Sequence, residues 1–516
     1  MDSPATVPTG LLGKLVALGT TSSVGENELE SWRRNPKLAT VILSGLAQQR
    51  LPNIARQVLD LMLASRVESN VVHHNVAITA CAKSGNWQLA LCILCGMSDV
   101  SIVPNEITCS AAITACERGR QWQLALSLLD VMPEMGLIAN VITYNAAISA
   151  CGKGGQWQIA LGILLALPEV RVTATEVTYS AAISACEKGG QWQLALCLLS
   201  IMPDSRVSAN EVSYGAAVSA CGKEGQWQLA LSLLCEMPRA KLTANAICYN
   251  AGISACEKQG QWEMALALLS NMPEMKVAAN VISCNAAISA CEKGGRWQIA
   301  LGLLSCMPEM KLTADEVSCG AAISGLEKGG QWQLALSLLN AMPEMKIATS
   351  EITYNAAISA CQKGRQWQVA LSLLGEMPRW QLLAGVVTFS AAISACAEGG
   401  QWQLSLHLLR EMSQMKVKPN EISCSAAINS CSRGERWQLA LCLLRTSMRE
   451  ASVLPNGISY NAAISSFQHC GQWTLALRIL GDMSGRWLKP DEISCNSAIT
   501  ACQSGEQWHY ALSLLG

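Results

Sequence analysis

Apolar and polar residues follow a helical rhythm through most of the chain, and the rhythm itself recurs. In Val141–Thr175, VITYNAAISACGKGGQWQIALGILLALPEVRVTAT, the residues Trp157, Ala160, Leu161 and Leu164 stand at i, i+3, i+4 and i+7, which is one face of an α-helix. Ile159 and Ile163 make the same stretch apolar on a second side, as a helix held between neighbours requires. Upstream, Ala146, Ala147 and Ala150 give a first helix a small-residue centre that lets a second helix approach closely, and Gly154 and Gly155 divide the two. With Val141 as position 1, the pattern predicts helix A over roughly positions 2–13 and helix B over roughly 16–27. A proline soon after helix B, such as Pro133 or Pro308, is expected to help end it.

The same frame starts at Val71, Glu106, Glu176, Glu211, Ala246, Val281, Glu316, Glu351, Val386, Glu421, Gly457 and Glu492, a period of 35 residues. One insertion near Arg445 to Ala451 stretches the repeat from Glu421 to 36. Residues 71–491 thus hold twelve repeats, 492–516 a thirteenth that stops inside helix B, and Pro36–Asn70 a degenerate one with Ala55 and Met62 in phase. Residues 1–35 are set apart as a leader, targeting or disordered. A fixed period of this length marks a solenoid, in which each repeat buries its apolar faces only against its neighbours. The expected fold is all-α: a right-handed superhelical solenoid of two-helix repeats, with helix A on the concave side.

Composition refines this picture. Half of the 516 residues are hydrophobic and 15% are charged, yet no apolar run reaches the roughly 18 residues that span a bilayer, so no membrane partner is expected. The formal net charge of −1 is unlike the basic balance of most nucleic-acid binders, and counts against that role until the charges are placed. Of 24 cysteines, eleven recur at position 11, among them Cys81, Cys116, Cys151 and Cys186. Stacked helices lie about 8–10 Å apart and a disulfide needs Cα atoms within about 7 Å. These cysteines therefore read as small buried hydrophobes in a reducing compartment. Cys92 and Cys95 have CxxC spacing without a second pair or a histidine set, so no metal or cofactor is expected. Thirteen of 16 tryptophans fall at position 17 and are read as packing; Trp32, Trp380 and Trp487 lie elsewhere. The histidines His73, His74, His407, His469 and His509 lack the H-x-E and later CxxC of a deaminase, and no catalytic residues are predicted.

Comparison among repeats separates what is fixed from what varies. Position 2 is always Val or Ile: Val72, Ile107, Ile142, Val177, Val212, Ile247, Ile282, Val317, Ile352, Val387, Ile422, Ile458 and Ile493. Position 5 is small or polar: Asn75, Ser110, Asn145, Ser180, Gly215, Asn250, Asn285, Gly320, Asn355, Ser390, Ser425, Asn461 and Asn496. These are weaker helix formers than alanine, which suggests a polar group presented to a partner. Position 35 is Asn105, Asn140, Thr175, Asn210, Asn245, Asn280, Asp315, Ser350, Gly385, Asn420, Asn456 or Asp491. That alphabet is equally what an N-cap requires, so capping and recognition both stand as readings. Position 13 carries Lys83, Arg118, Lys153, Lys188, Lys223, Lys258, Lys293, Lys328, Lys363 and Arg433, with Glu398, His469 and Ser504 departing. Cations complement a helix C-terminus, but repeated beside positions 2, 5 and 9 on one face they also form a stripe able to follow a polyanion.

On these residues the repeat resembles a pentatricopeptide repeat: Ile142-Thr143-Tyr144-Asn145 at positions 2 to 5, Lys153 at 13, Gly155 at 15, Ala160-Leu161 at 20 and 21, a methionine such as Met132 at 27, and a polar residue at 35. The resemblance covers roughly residues 36–516. It implies a sequence-selective adaptor for single-stranded RNA in a chloroplast or mitochondrion, acting in RNA processing, stability or translation, with protein factors recruited to the transcript. It implies one nucleotide per repeat, each base held between successive position 2 side chains, chosen by positions 5 and 35, with the position 13 cations near the phosphates. In that scheme Asn285 with Asp315 reads uracil and Ser390 with Asn420 adenine. Tryptophan at 17 and the Met-Pro-Glu-Met segment depart from the family, and Gly215, Gly320 and Gly385 leave their repeats without a normal reader. The alternative is a protein–protein scaffold like the 34-residue tetratricopeptide repeat. Its groove would be expected to collect aromatic and long charged residues where Asn, Ser and Gly stand here. The organelle is implied by the resemblance, since the N-terminal 25 residues contain only Asp2 as an acid but lack the arginines usual in a transit peptide.

Overall fold

The computed structural model describes residues 12, 13, 15, 24, 26–448, 453–468, 470–485 and 488–513. His469, Trp487, most of the leader and residues 449–452 of the insertion lie outside the described residues. The chain forms two compact units, 1–255 and 256–516. Among the described residues each is built from helices alone.

Helix A spans positions 1–13 in nearly every repeat, as in Val141–Lys153 and Glu351–Lys363. Helix B opens on the tryptophan at position 17, as in Trp122–Glu134 and Trp332–Glu344. Helix A ends because position 15 takes the left-handed conformation, at Gly155 (φ 75) or Gly330 (φ 68). The backbone N–H of position 16 then closes on the position 11 carbonyl, Gln156 to Cys151 at 2.9 Å, which satisfies an orphan carbonyl of the last turn.

Helices Trp157–Ala166, Trp297–Cys306 and Trp367–Glu376 stop just before Pro168, Pro308 and Pro378, but elsewhere the proline does not end helix B. Pro133, Pro203, Pro238, Pro273 and Pro343 lie inside its last turn. A missing N–H that near the end costs little of the ladder. What stops the helix is a left-handed residue at position 31, for example Lys276 (φ 60) or Lys346 (φ 59). It lets Val277 N–H reach the Met272 carbonyl, and Ile347 N–H the Met342 carbonyl, at 2.9 Å each. In the 36-residue repeat, helix Trp437–Cys442 runs into a π-helical turn at Leu443–Ser447, which accommodates an extra residue without changing the phase of the flanking helices.

Within each unit, helix A packs on helix A of the next repeat, and helix B packs on its own helix A and on the following one. The alanines at 6, 7 and 10, the branched residue at 8 and the cysteine at 11 are the buried side of helix A. Positions 20, 24 and 27 are the buried side of helix B, as in Ala125, Leu129 and Met132. Every cysteine is free, and burial pushes position 11 thiols such as Cys116 and Cys361 up to about 11. Where position 14 is glycine, the tryptophan of the preceding repeat packs over it. A Cβ on Gly119, Gly154, Gly189 or Gly364 would overlap Cδ1 of Trp87, Trp122, Trp157 or Trp332. Before the first repeat, Glu26–Arg34 is helical; Trp32 is buried, and Arg33 donates twice to the Ser65 carbonyl, at 3.0 and 2.7 Å.

Candidate nucleic-acid interface

The surface is built outward from the start of helix A. The residue at position 35 is extended, as at Asn105 (φ −114, ψ 179) and Asp315 (φ −116, ψ −178), and caps the next helix. Asn105, Asn140, Asn210, Asn245, Asn280, Asp315, Ser350, Asn420, Asn456 and Asp491 each accept a backbone N–H from position 3. Thr175 is bonded to the Thr178 hydroxyl at 3.0 Å. Position 3 is the reciprocal half of the cap: Thr108 and Ser318, fully buried, return a hydroxyl to the N–H of Asn105 and Asp315.

The same cap touches position 5 of its own repeat, 30 residues earlier. Asn285 Nδ2 donates to both Asp315 oxygens at 3.0 and 3.1 Å, and Asn461 to both oxygens of Asp491 at 3.0 and 2.9 Å. Asn75 donates to Asn105 at 3.2 Å, and the hydroxyls of Ser180 and Ser390 donate to Asn210 and Asn420 at 3.3 and 3.2 Å. Capping and pairing therefore share one side chain. Burial pushes the Asp315 carboxyl up, but donors from Ser318 and Asn285 outweigh it and hold the group below its ordinary value. For Asp491 the Ser494 N–H and hydroxyl lead the lowering, with Asn461 adding to it. Both are anionic acceptors at neutral pH.

The serines at position 5, Ser110, Ser180, Ser390 and Ser425, are buried. The asparagines are mostly half-buried, and the side-chain carbonyls of Asn145, Asn285, Asn355 and Asn461 are buried without a hydrogen-bond partner. Gly215 and Gly320 offer no side chain; the nearest atoms to an added Cβ would be Cys248 Sγ and the Thr353 methyl. Gly385 is an N-cap with no side-chain acceptor.

Position 2 stands in the open. All thirteen Val and Ile residues are exposed, from 51% at Val72 to 69% at Ile352, although branched aliphatics rank among the most often buried residues. A groove of about 510 Å³ in the second unit is lined by Ile422, Ser425, Arg433, Asn456, Ile458, Asn461, Asp491 and Ile493, so positions 2, 5, 13 and 35 share one surface there.

The position 13 cations meet partners that sequence reasoning missed. Lys153, Lys223, Lys293, Lys328 and Lys363 lie 2.8–3.1 Å from Glu117, Glu187, Glu257, Glu292 and Glu327, the position 12 residues of the preceding repeat. The signal was available as glutamate–lysine complementarity at a spacing of 36. Arg118 and Arg433 donate instead to backbone carbonyls, of Lys83 at 3.0 Å and of Ala397 and Glu398 at 3.4 and 3.3 Å. Lys83, Lys188 and Lys258 are exposed.

Six segments, 177–207, 212–242, 282–312, 317–347, 352–382 and 458–488, match the PPR repeat. Residues 38–166 match a pentatricopeptide repeat-containing protein, and 232–295 and 372–433 a pentatricopeptide repeat domain. Together these span well over half of the chain, which belongs to the pentatricopeptide repeat family. The fold is similar to the crystal structure of the pentatricopeptide repeat protein PPR10 from maize, with a TM-score of 0.57 and 19% identity over 95% of this chain and 75% of that one. It is also similar to PPR10 in complex with an 18-nt psaJ RNA element, with a TM-score of 0.51 and 18% identity over 98% and 83%. No curated protein matches the sequence.

Proposed function

We propose that this chain is a sequence-selective adaptor for single-stranded RNA, reading one nucleotide per repeat and acting in organellar RNA processing, stability or translation. The observation that carries the reading is the pairing of position 5 with position 35 beside the exposed position 2 aliphatics. In this reading each pair presents its hydrogen-bonding groups to a base held between successive position 2 side chains. Single-stranded bases are recognised in this way, by packing on their faces and bonding along their edges. Membership of the family and the RNA complex of PPR10 support the same assignment. Repeats with Gly215 or Gly320 contribute packing and no edge contact.

The test uses a combination the chain already contains. Asn285→Ser with Asp315→Asn reproduces the Ser390–Asn420 pair, which is hydrogen-bonded at 3.2 Å, so the double variant keeps both the cap and the fold. Selection from a random single-stranded RNA pool is expected to move the preference at one nucleotide from U to A and leave its neighbours unchanged. A base-edge contact discriminates by about 1–3 kcal/mol, so the shift should exceed about fivefold. Unchanged motifs with binding retained would make positions 5 and 35 structural. A chain that selects no RNA but captures folded protein would favour the scaffold reading.

A further inference from the structure

The cation stripe is neutralised unevenly along the chain. Where position 12 is glutamate, the lysine of the next repeat is paired, as in Lys293–Glu257, Lys328–Glu292 and Lys363–Glu327. Position 12 is Ala82 before Arg118, and Gly152 before Lys188. No ion pair among the described residues involves Arg118, Arg120 or Lys188. These three and Lys153 line one open cavity of about 690 Å³, floored by the backbone of Gly152, Gly154 and Gly155. Arg120 adds a charge from position 15, where most other repeats carry glycine. One carboxylate, that of Glu117, engages the cluster, at 2.8 Å from Lys153; Glu187 is turned to Lys223 at 3.1 Å.

We propose that this cavity is the principal backbone anchor of the chain, a site for a phosphodiester group of the bound strand, and that the lysines paired with glutamate contribute little to strand affinity. The assignment rests on the proposed RNA function and sharpens it: the stripe is not a uniform rail but one concentrated clamp in the repeats from Glu106 to Lys188. Three cations free of any carboxylate, Arg118, Arg120 and Lys188, around a concave, glycine-floored space match a phosphate, which takes several donors at once. A lysine already held by a carboxylate must give up that partner first. Burial lowers the Lys188 pKa, and repulsion from Lys153, Lys223 and Arg120 adds to this against a smaller opposing effect of Glu187; a bound anion would relieve that repulsion.

The experiment measures binding of a labelled single-stranded RNA pool to the full chain as a function of salt. The variants are Lys188→Gln, Arg120→Gln, Lys328→Gln and Glu292→Gln, all at exposed or half-exposed side chains, with circular dichroism as the check on folding. Each phosphate contact contributes about −0.7 to the log–log salt slope for single strands. Lys188→Gln and Arg120→Gln should each weaken binding, and the two together should flatten the slope by about 0.7, the share of one phosphate. Lys328→Gln should leave both unchanged, and Glu292→Gln, which frees Lys328, should steepen the slope by about 0.7. Equal losses for Lys188→Gln and Lys328→Gln, with the wild type binding, overturn the clamp and leave the proposed function standing. A wild-type chain that binds no strand overturns both.

Discussion

His74 stands at position 4 of its repeat, where Tyr144, Tyr179 and Phe389 stand in others, so an ionisable ring occupies an apolar site. It is buried, with Nδ1 3.2 Å from the Asn70 carbonyl. Burial lowers its pKa below 6.5; the Asn70 carbonyl opposes this and His73 reinforces it. Above pH 6.5 the ring is neutral whether the helix is folded or not. As pH falls from 6.5 towards the folded-state value, the unfolded segment takes up a proton that the folded one refuses, and stability is lost over that window. Hydrogen exchange in helix Val71–Ser84 is therefore expected to accelerate between pH 7 and pH 5 beyond its intrinsic pH dependence, and His74→Phe should abolish the excess. Equal pH dependence in both proteins would mean that His74 is not the titrating group. Nothing in the spacing of the chain set His73 and His74 apart from His407 and His509; burial does.

At the scale of the element, glycine has two unrelated uses that sequence alone cannot tell apart. Gly364 ends a helix with φ −79, a conformation open to any residue, yet a Cβ there would run into Trp332. Gly162 lies in helix Trp157–Ala166 with no atom near its missing Cβ. Gly364→Ala should destabilise by about 1–3 kcal/mol through overpacking, whereas Gly162→Ala should stabilise by about 0.5–1 kcal/mol through helix propensity. Urea melts of the two variants test this; the same sign for both would sink the account of the tryptophan–glycine contact. Helix existence and phase were legible because Trp157, Ala160, Leu161 and Leu164 share one face. The end of helix B was not, because Pro133 is compatible with a final turn and the left-handed residue three positions later carries no fixed side chain: Gly136, Arg171 and Lys276 all adopt it.

Over the whole molecule, charge location matters more than charge total. A net charge of −1 conceals a stripe of cations, half of which are paired with glutamates of the preceding repeat. If all ten position 13 cations each met a phosphate, the log–log salt slope would approach about −7; with the five glutamate-paired lysines silent it should be no steeper than about −3.5. Fluorescence titration of the full chain between low and physiological salt is expected to give the shallower value, and a slope near zero would leave the cations as helix caps alone.

The 35-residue period, the two-helix repeat, the cores of both helices and the positions of the candidate site could be read from the sequence, because each is a local pattern of spacing repeated thirteen times. The exposure of the position 2 aliphatics, the bond between Asn285 and Asp315, and the glutamates that quench Lys293 and Lys328 could not. Each joins residues 30 or 36 apart, or depends on what lies above a side chain. Only the stacking of one helix A against the next brings those atoms within hydrogen-bond reach and leaves Ile352 facing outward.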